Sequence, residues 1–318
     1  MVESGFGTNE TVVPSRRSRR HLRWVDKRTP PARTLEIGPP KRLLILGDVH
    51  LDAHSPRAWG NLRTFLERLE PSHTAGLVCL GDLFEYYLGA KHLRGPLGEA
   101  AELLAQVVQR GIAVYLVPGN RDFLIGEEFR QRGIEVFSHG LRLHLGLGGA
   151  HPSPGATARS APPAALWIVH GDELMPESGL HRSWSRLSRT RFARLATQAM
   201  PVALLDWAAR RMREQSRRRH RRRARTPEAR LPRVSPTVAA SLLAAWAEES
   251  GAAHWLVTGH FHVPLLERND RGGLLTVGEW DGLGGVVGCF SGEDGAGGVT
   301  GRLLHSSEAV SLAMVHQG

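Results

Sequence analysis

The sequence predicts an α/β fold whose strands end in metal-compatible side chains, and three observations carry that prediction. Apolar runs recur at Leu43–Leu46, Leu77–Leu80, Val114–Val117, Leu166–Val169 and Trp255–Thr258. Each has the length of a buried strand rather than of a helix. Each runs, the third after Pro118, into Gly or His and then an acid, amide or imidazole: Gly47-Asp48-Val49-His50, Gly81-Asp82, Gly119-Asn120-Arg121-Asp122, His170-Gly171-Asp172 and Gly259-His260-Phe261-His262. Between the early runs lie stretches of helical period, and strands alternating with helices argue for a sheet with its ligands at the carboxyl edge.

Residues 1–40 are polar, rich in Arg and Pro, without sustained periodicity, and read as a disordered basic tail ahead of a domain covering 41–318. The first strand follows from Lys41. A helix over Pro56–Leu69 is marked by Trp59, Leu62, Phe65, Leu66 and Leu69 on one face. A second over Leu97–Val108 is stopped by Gly111, and a short third over Phe123–Arg132 by Gly133. Leu141–Leu147 reads as one more strand, and the Gly, Pro, Ala and Ser-rich residues 148–164 as a surface loop extending a hairpin. Residues 178–235 interrupt the sheet with two amphipathic helices, Ser183–Ala199 and about Val202–Gln215, broken at Pro201. Arg217–Arg225, seven arginines with His220, is too charged to pack. Ser235-Pro236 opens a helix to about Glu249. Strand-like pieces lie at Pro264–Leu266 and Leu274–Val277, and residues 282–298 carry no clear periodicity.

Charge is divided sharply along the chain. Residues 1–47 hold ten Lys/Arg against four acids, and residues 182–233 hold seventeen Arg against three, so the remainder carries −10 within a total of +10. The basic segments suit docking on a polyanion, an anionic membrane surface or a nucleic acid. No apolar run approaches the ~20 residues that cross a bilayer, and the first residues lack a signal-peptide core, which reads as a cytoplasmic protein. The two cysteines, Cys79 and Cys289, fit that compartment and exclude a disulfide framework.

Asp48, His50, Asp82, Asn120, His170, His260 and His262 mix hard oxygen with imidazole donors, a set that suits Mn²⁺, Fe²⁺ or Zn²⁺. Alternate side chains of a straight strand share a face, so Asp48 and His50 are expected to converge on one ion. Seven ligands exceed what one such ion takes and suit two that share a carboxylate.

The series Gly47-Asp48-Val49-His50, Gly81-Asp82-Leu83-Phe84-Glu85, Gly119-Asn120-Arg121-Asp122, His170-Gly171-Asp172 and Gly259-His260-Phe261-His262 resembles the calcineurin-like metallophosphoesterases. Within them it looks most like the UDP-2,3-diacylglucosamine pyrophosphatases of lipid A synthesis. The resemblance implies a four-layer α/β/β/α sandwich with an inserted helical cap. It implies two divalent ions, Mn²⁺ first among the candidates, one held by Asp48, His50, Asp82 and His262, the other by Asp82, Asn120, His170 and His260. Asp48, Asp82, Asn120, Arg121 and His170 become the catalytic set, with Asp172 orienting a ligand. Many members place a proton-donating His after the Asn; here it is Arg121, always charged, which suits clamping a diphosphate whose leaving group needs no proton. Arg121, Asp122, Trp184 and Arg186 are the expected substrate contacts. The expected reaction is hydrolysis of UDP-2,3-diacylglucosamine to UMP and 2,3-diacylglucosamine 1-phosphate, met peripherally at the cytoplasmic face of the inner membrane. Another nucleotide-diphosphate lipid, or a nucleic-acid phosphodiester gripped by Arg217–Arg225, is the rival substrate.

Overall fold

Successive side chains of a strand point to opposite faces, and the central strands carry apolar residues at every position. In the computed structural model, which describes residues 31–52, 56–147, 164–174, parts of 197–214, and 254–311 except 270–271, 282 and 293–298, this produces two cores around one sheet. From β2 (Arg42–Leu46), Leu43 and Ile45 enter one core and Leu44 and Leu46 the other. From β3 (Thr74–Leu80), Val78 and Leu80 enter the first, and Leu77 and Cys79 the second. From β4 (Ala113–Val117) the same split separates Tyr115 and Val117 from Val114 and Leu116.

The second core is closed by helices. α1 (Pro56–Glu67) turns Leu62, Phe65 and Leu66 inward, and α2 (Pro96–Gln109) turns in Leu97, Ala101, Leu104 and Val107. Pro96 stands at the start of α2, where its missing N–H costs nothing. Arg110 donates to the carbonyls of Leu66, Glu67 and Leu69, tying the end of α1 to the end of α2. α3 (Glu127–Arg130) is shorter than the sequence suggests; before it the chain turns, with Ile125 donating its amide to the Asp122 carbonyl and Gly126 to Glu128 Oε1.

The first core is closed by a second sheet. β6 (Leu141–Gly146) and β7 (Ala164–Val169) form the expected hairpin, and β7 pairs in parallel with β8 (His254–Thr258). β9 (Leu265–Asn269) and β10 (Gly272–Thr276) complete one edge and β1 (Ala32–Glu36) the other, giving the order β1-β6-β7-β8-β10-β9. The other sheet contains β2, β3 and β4 in parallel, flanked by β5 (Glu135–Val136), β11 (Trp280–Asp281) and β12 (Gly284–Gly292), with β13 (Val299–His305) paired to β12 and α4 (Ser306–Ser311) after it.

β1 (Ala32–Glu36) corrects the sequence reading. It lies within the stretch assigned to the tail, yet it pairs in parallel with β6 over Ala32–Glu36 and Arg142–Gly146. Its residues are mostly exposed, so the pattern by which buried strands are recognised is missing. Residues 284–292, without clear periodicity in the sequence, form β12 because glycines at 284, 285 and 288 meet close neighbours. In the inserted segment, Pro201 begins a helical stretch, its carbonyl accepting from Leu204 and Leu205, and Leu205 packs on Leu88. Trp184, Arg186, the helix at 235–249 and the arginine run at 217–225 lie outside the described residues.

Candidate metal centre

The parallel strands β2, β3 and β4 end at one edge, and the backbone beyond β2 and β3 stays laced. Asp48 donates its amide to Gly81, His50 to Asp82 and Leu51 to Leu83. From the facing sheet, Gly259 donates to the His170 carbonyl, and the amide of His260 donates to Asp48 Oδ2 at 2.7 Å. The loops after β2, β3, β7 and β8 therefore form one hydrogen-bonded unit joining both sheets.

Among the described residues, the non-glycine positions with left-handed backbone are Asp48, His50, Asp82, His260 and His262, with φ between 48° and 66°. Such conformations cost about 1–3 kcal/mol each and persist where the surroundings over-determine them. This revises the expected geometry of the first motif. β2 ends at Leu46, so Asp48 and His50 converge because the backbone turns left-handed at both, not because alternate residues of a straight strand share a face.

The side chains fall into two groups. Asp48, His50 and His262 form one, with His50 Nε2 and His262 Nε2 3.4 Å apart and His262 Nε2 3.9 Å from Asp48 Oδ1. Asp82, His170 and His260 form the other, with His170 Nε2 3.6 Å from Asp82 Oδ2 and 3.2 Å from Asn120 Oδ1. All seven residues singled out as ligands are brought to the two groups. The glycines before them make room: a Cβ on Gly81 would stand 2.7 Å from His170 Cγ, and one on Gly119 2.6 Å from the Asp82 amide nitrogen.

A cation fits these residues. Asp48 Oδ1 is buried without a hydrogen-bond partner, an arrangement that proteins ordinarily avoid. Burial raises the Asp48 carboxyl above its usual range, and the imidazoles of His170, His50 and His262 do not offset it. Positive charge is what the site lacks there. At Asp82 the balance is reversed: burial opposes its charge, but His170, His50 and Arg121 hold the carboxyl below its ordinary range.

Arg121 donates its amide to Asp82 Oδ1 at 2.9 Å, and its guanidinium lies 3.4 Å from Asp82 Oδ2 and 2.5 Å from Glu85 Oε1. Burial works against the guanidinium, but Glu85 and Asp82 raise its pKa further, so it stays charged. Glu85 also stands 3.4 Å from His50 Nδ1. Glu279 accepts from His262 Nδ1 in a short hydrogen bond. Neither glutamate was singled out from the sequence. Glu279 follows β10 by the same strand-end rule that flagged the others, and that was its available signal.

Asp122, an expected substrate contact, is turned inward. It is fully buried, and its two oxygens accept the amides of Gly119 at 2.7 Å and Leu83 at 2.8 Å. Burial, with the Asp82 charge beside it, pushes its carboxyl up to about 6. Asp122 thus ties the loop after β4 to the loop after β3. Asp172 is likewise buried, in a short turn of 3₁₀ helix after His170.

Strand-end ligands in two groups define a metallophosphoesterase, and the chain belongs to the calcineurin-like phosphoesterases, whose family model matches residues 41–264. Several relatives match it over most of their own length. A UDP-2,3-diacylglucosamine hydrolase of Aeromonas hydrophila is 28% identical over 255 residues, covering 79% of this chain and 95% of that protein. The protein of the same name from Azotobacter vinelandii is 29% identical over 258 residues, covering 77% and 92%. That from Ralstonia nicotianae is 28% identical over 241 residues, covering 75% and 84%.

Proposed function

We propose that this chain hydrolyses the diphosphate of UDP-2,3-diacylglucosamine to UMP and 2,3-diacylglucosamine 1-phosphate, a step of lipid A synthesis. The observation that carries the reading is a pair of ligand groups with a charged arginine, Arg121, fixed beside Asp82. The names of the relatives supply the substrate class.

Asp48, His50 and His262 would hold one divalent ion, Asp82, Asn120, His170 and His260 the other, with Asp82 shared; oxygen and imidazole donors suit Mn²⁺, with Fe²⁺ or Zn²⁺ as alternatives. When bound, such a pair supplies Lewis acidity and lowers the pKa of water. The chain's own contribution is placement and charge. Glu85 and Asp82 hold the Arg121 guanidinium at the edge of the ligand groups, ready to meet phosphoryl oxygens. Water's oxygen would join the phosphorus nearer uridine and lose its protons to solvent, while the bond from that phosphorus to the bridging oxygen breaks and the bridging oxygen leaves with the lipid-bearing phosphate. Arg121 cannot supply a proton at neutral pH, and a departing phosphate does not require one.

The helical cap, through Trp184 and Arg186 among others, would cover the acyl chains, and the protein would work on the anionic cytoplasmic face of the inner membrane. Supporting a lipid surface, Leu204 and Trp207 are 45% and 58% exposed on the described part of that insertion, with Arg211 exposed beside them. No helix among the described residues is long and apolar enough to cross a membrane.

The test is an assay of Mn²⁺-loaded protein on UDP-2,3-diacylglucosamine in mixed micelles, with His50→Ala as control. Release of UMP by the wild type alone is expected. Activity on a generic phosphodiester without UMP release would keep the metal centre and sink the lipid assignment.

A further inference from the structure

Carboxylates stand behind both histidines of the Asp48 group, Glu279 at His262 Nδ1 and Glu85 at 3.4 Å from His50 Nδ1. A metal-binding imidazole is oriented by the partner of its other ring nitrogen, and a carboxylate there also makes the ring a better donor. His262 presents Nε2 to the group of Asp48 and His50, and its Nδ1 is hydrogen-bonded to the Glu279 carboxylate. In the other group, His170 Nδ1 faces the neutral carbonyl of Leu80 at 3.4 Å.

Glu279 is held for this task from both sides. The amide before it, Gly278, donates to Val286, and the amide after it, Trp280, donates to the carbonyl of Asp48, itself a member of the same group. The Trp280 ring is buried and packs edge-on against Phe65, with centroids 5.6 Å apart. The backbone carrying Glu279 is thereby fixed to the core and to Asp48, while its side chain remains about half exposed. A carboxylate placed this way is not needed to fill the core.

We propose that Glu279 is a positioning residue, fixing the tautomer and orientation of His262 so that the Asp48–His50–His262 position binds its ion more tightly, and first. This rests on the two-ion reading of the site, and binding measured without substrate keeps it separate from the lipid assignment.

The experiment is calorimetric titration of the metal-free full chain with Mn²⁺. Wild type is expected to bind in two resolved steps. Glu279→Gln, which keeps an acceptor oxygen but removes the charge, should weaken the tighter step by about 10-fold, and Glu279→Ala by up to ~100-fold, leaving the weaker step in place. His260→Ala should do the reverse, removing the weaker step. Long-range ¹⁵N–¹H spectra should show His262 protonated at Nδ1 in wild type and a mixture of tautomers in Glu279→Ala, a change that loss of folding stability would not produce. Unchanged affinity in both Glu279 variants, or equal weakening of both steps, would overturn the proposal. Failure of wild type to bind two ions would remove the two-ion reading and this proposal with it.

Discussion

The same substitution, glycine to alanine, should have opposite consequences at Gly119 and Gly60. At Gly119 a new Cβ would lie 2.6 Å from the backbone nitrogen of Asp82, against ordinary contacts of 3.4 Å or more. Backbone cannot swing aside as a side-chain tip can, so the loops after β3 and β4 must part by about 1 Å, and overpacking of this kind costs ~1–3 kcal/mol. Those loops carry Asp82, Asn120 and Arg121, and a displacement of about 1 Å at reacting groups can cost ~10²-fold in rate. At Gly60, within α1, a Cβ meets nothing within 4 Å and the residue is exposed, so alanine should stabilise by about 0.5–1 kcal/mol through lost freedom of the unfolded chain. The assay is urea unfolding of each variant together with kcat on a chromogenic phosphodiester. Gly60→Ala is expected to unfold later with unchanged kcat, and Gly119→Ala to unfold earlier with kcat down about 100-fold. Wild-type activity in Gly119→Ala would refute the claim that close backbone approach sets the position of Asp82.

Two further predictions follow from buried groups. Asp122→Asn leaves an amide NH₂ facing one of two backbone N–H donors, Gly119 or Leu83, and should lower stability by ~1–3 kcal/mol in denaturant melts, whereas an unchanged midpoint would show that the two bonds do not brace the loops. Burial, with the Asp122 charge behind it, pushes the Cys79 thiol up to about 12, and burial likewise raises Cys289. Both thiols should ignore Ellman's reagent at pH 8 in the native protein and react in full once it is unfolded; fast native labelling would show that β3 or β12 opens.

The strands that position the site were the most legible part of the sequence because they are buried on both faces. Leu43–Leu46 and Leu77–Leu80 have no polar side to interrupt them, and they stop where the ligands begin. The helices α1 and α2 were equally clear, with apolar faces at Leu62, Phe65 and Leu66 and at Leu97, Ala101 and Leu104. β1 escaped because an edge strand with exposed side chains, set among Pro and Arg, looks like a tail until its partner Leu141–Gly146 is known. The candidate ligands were legible as residue types, but the left-handed turns that aim them were not, since Asp and His, though enriched among non-glycine residues at positive φ, adopt it at only a small minority of positions. The direction of Asp122 was hidden for a related reason: it stands beside Arg121 in the sequence, and its side chain points into the interior. The pairing of Glu279 with His262 spans the β9–β10 hairpin, and only the antiparallel return of the chain brings the two side chains together.

Two divalent ions are expected where the two groups of side chains meet. Crystals grown with Mn²⁺ and recorded at the manganese absorption edge would test this directly. Two anomalous peaks are predicted, one bounded by Asp48, His50 and His262, the other by Asp82, His170 and His260. A single peak, or none at these residues, in protein that still cleaves phosphodiesters would contradict that expectation.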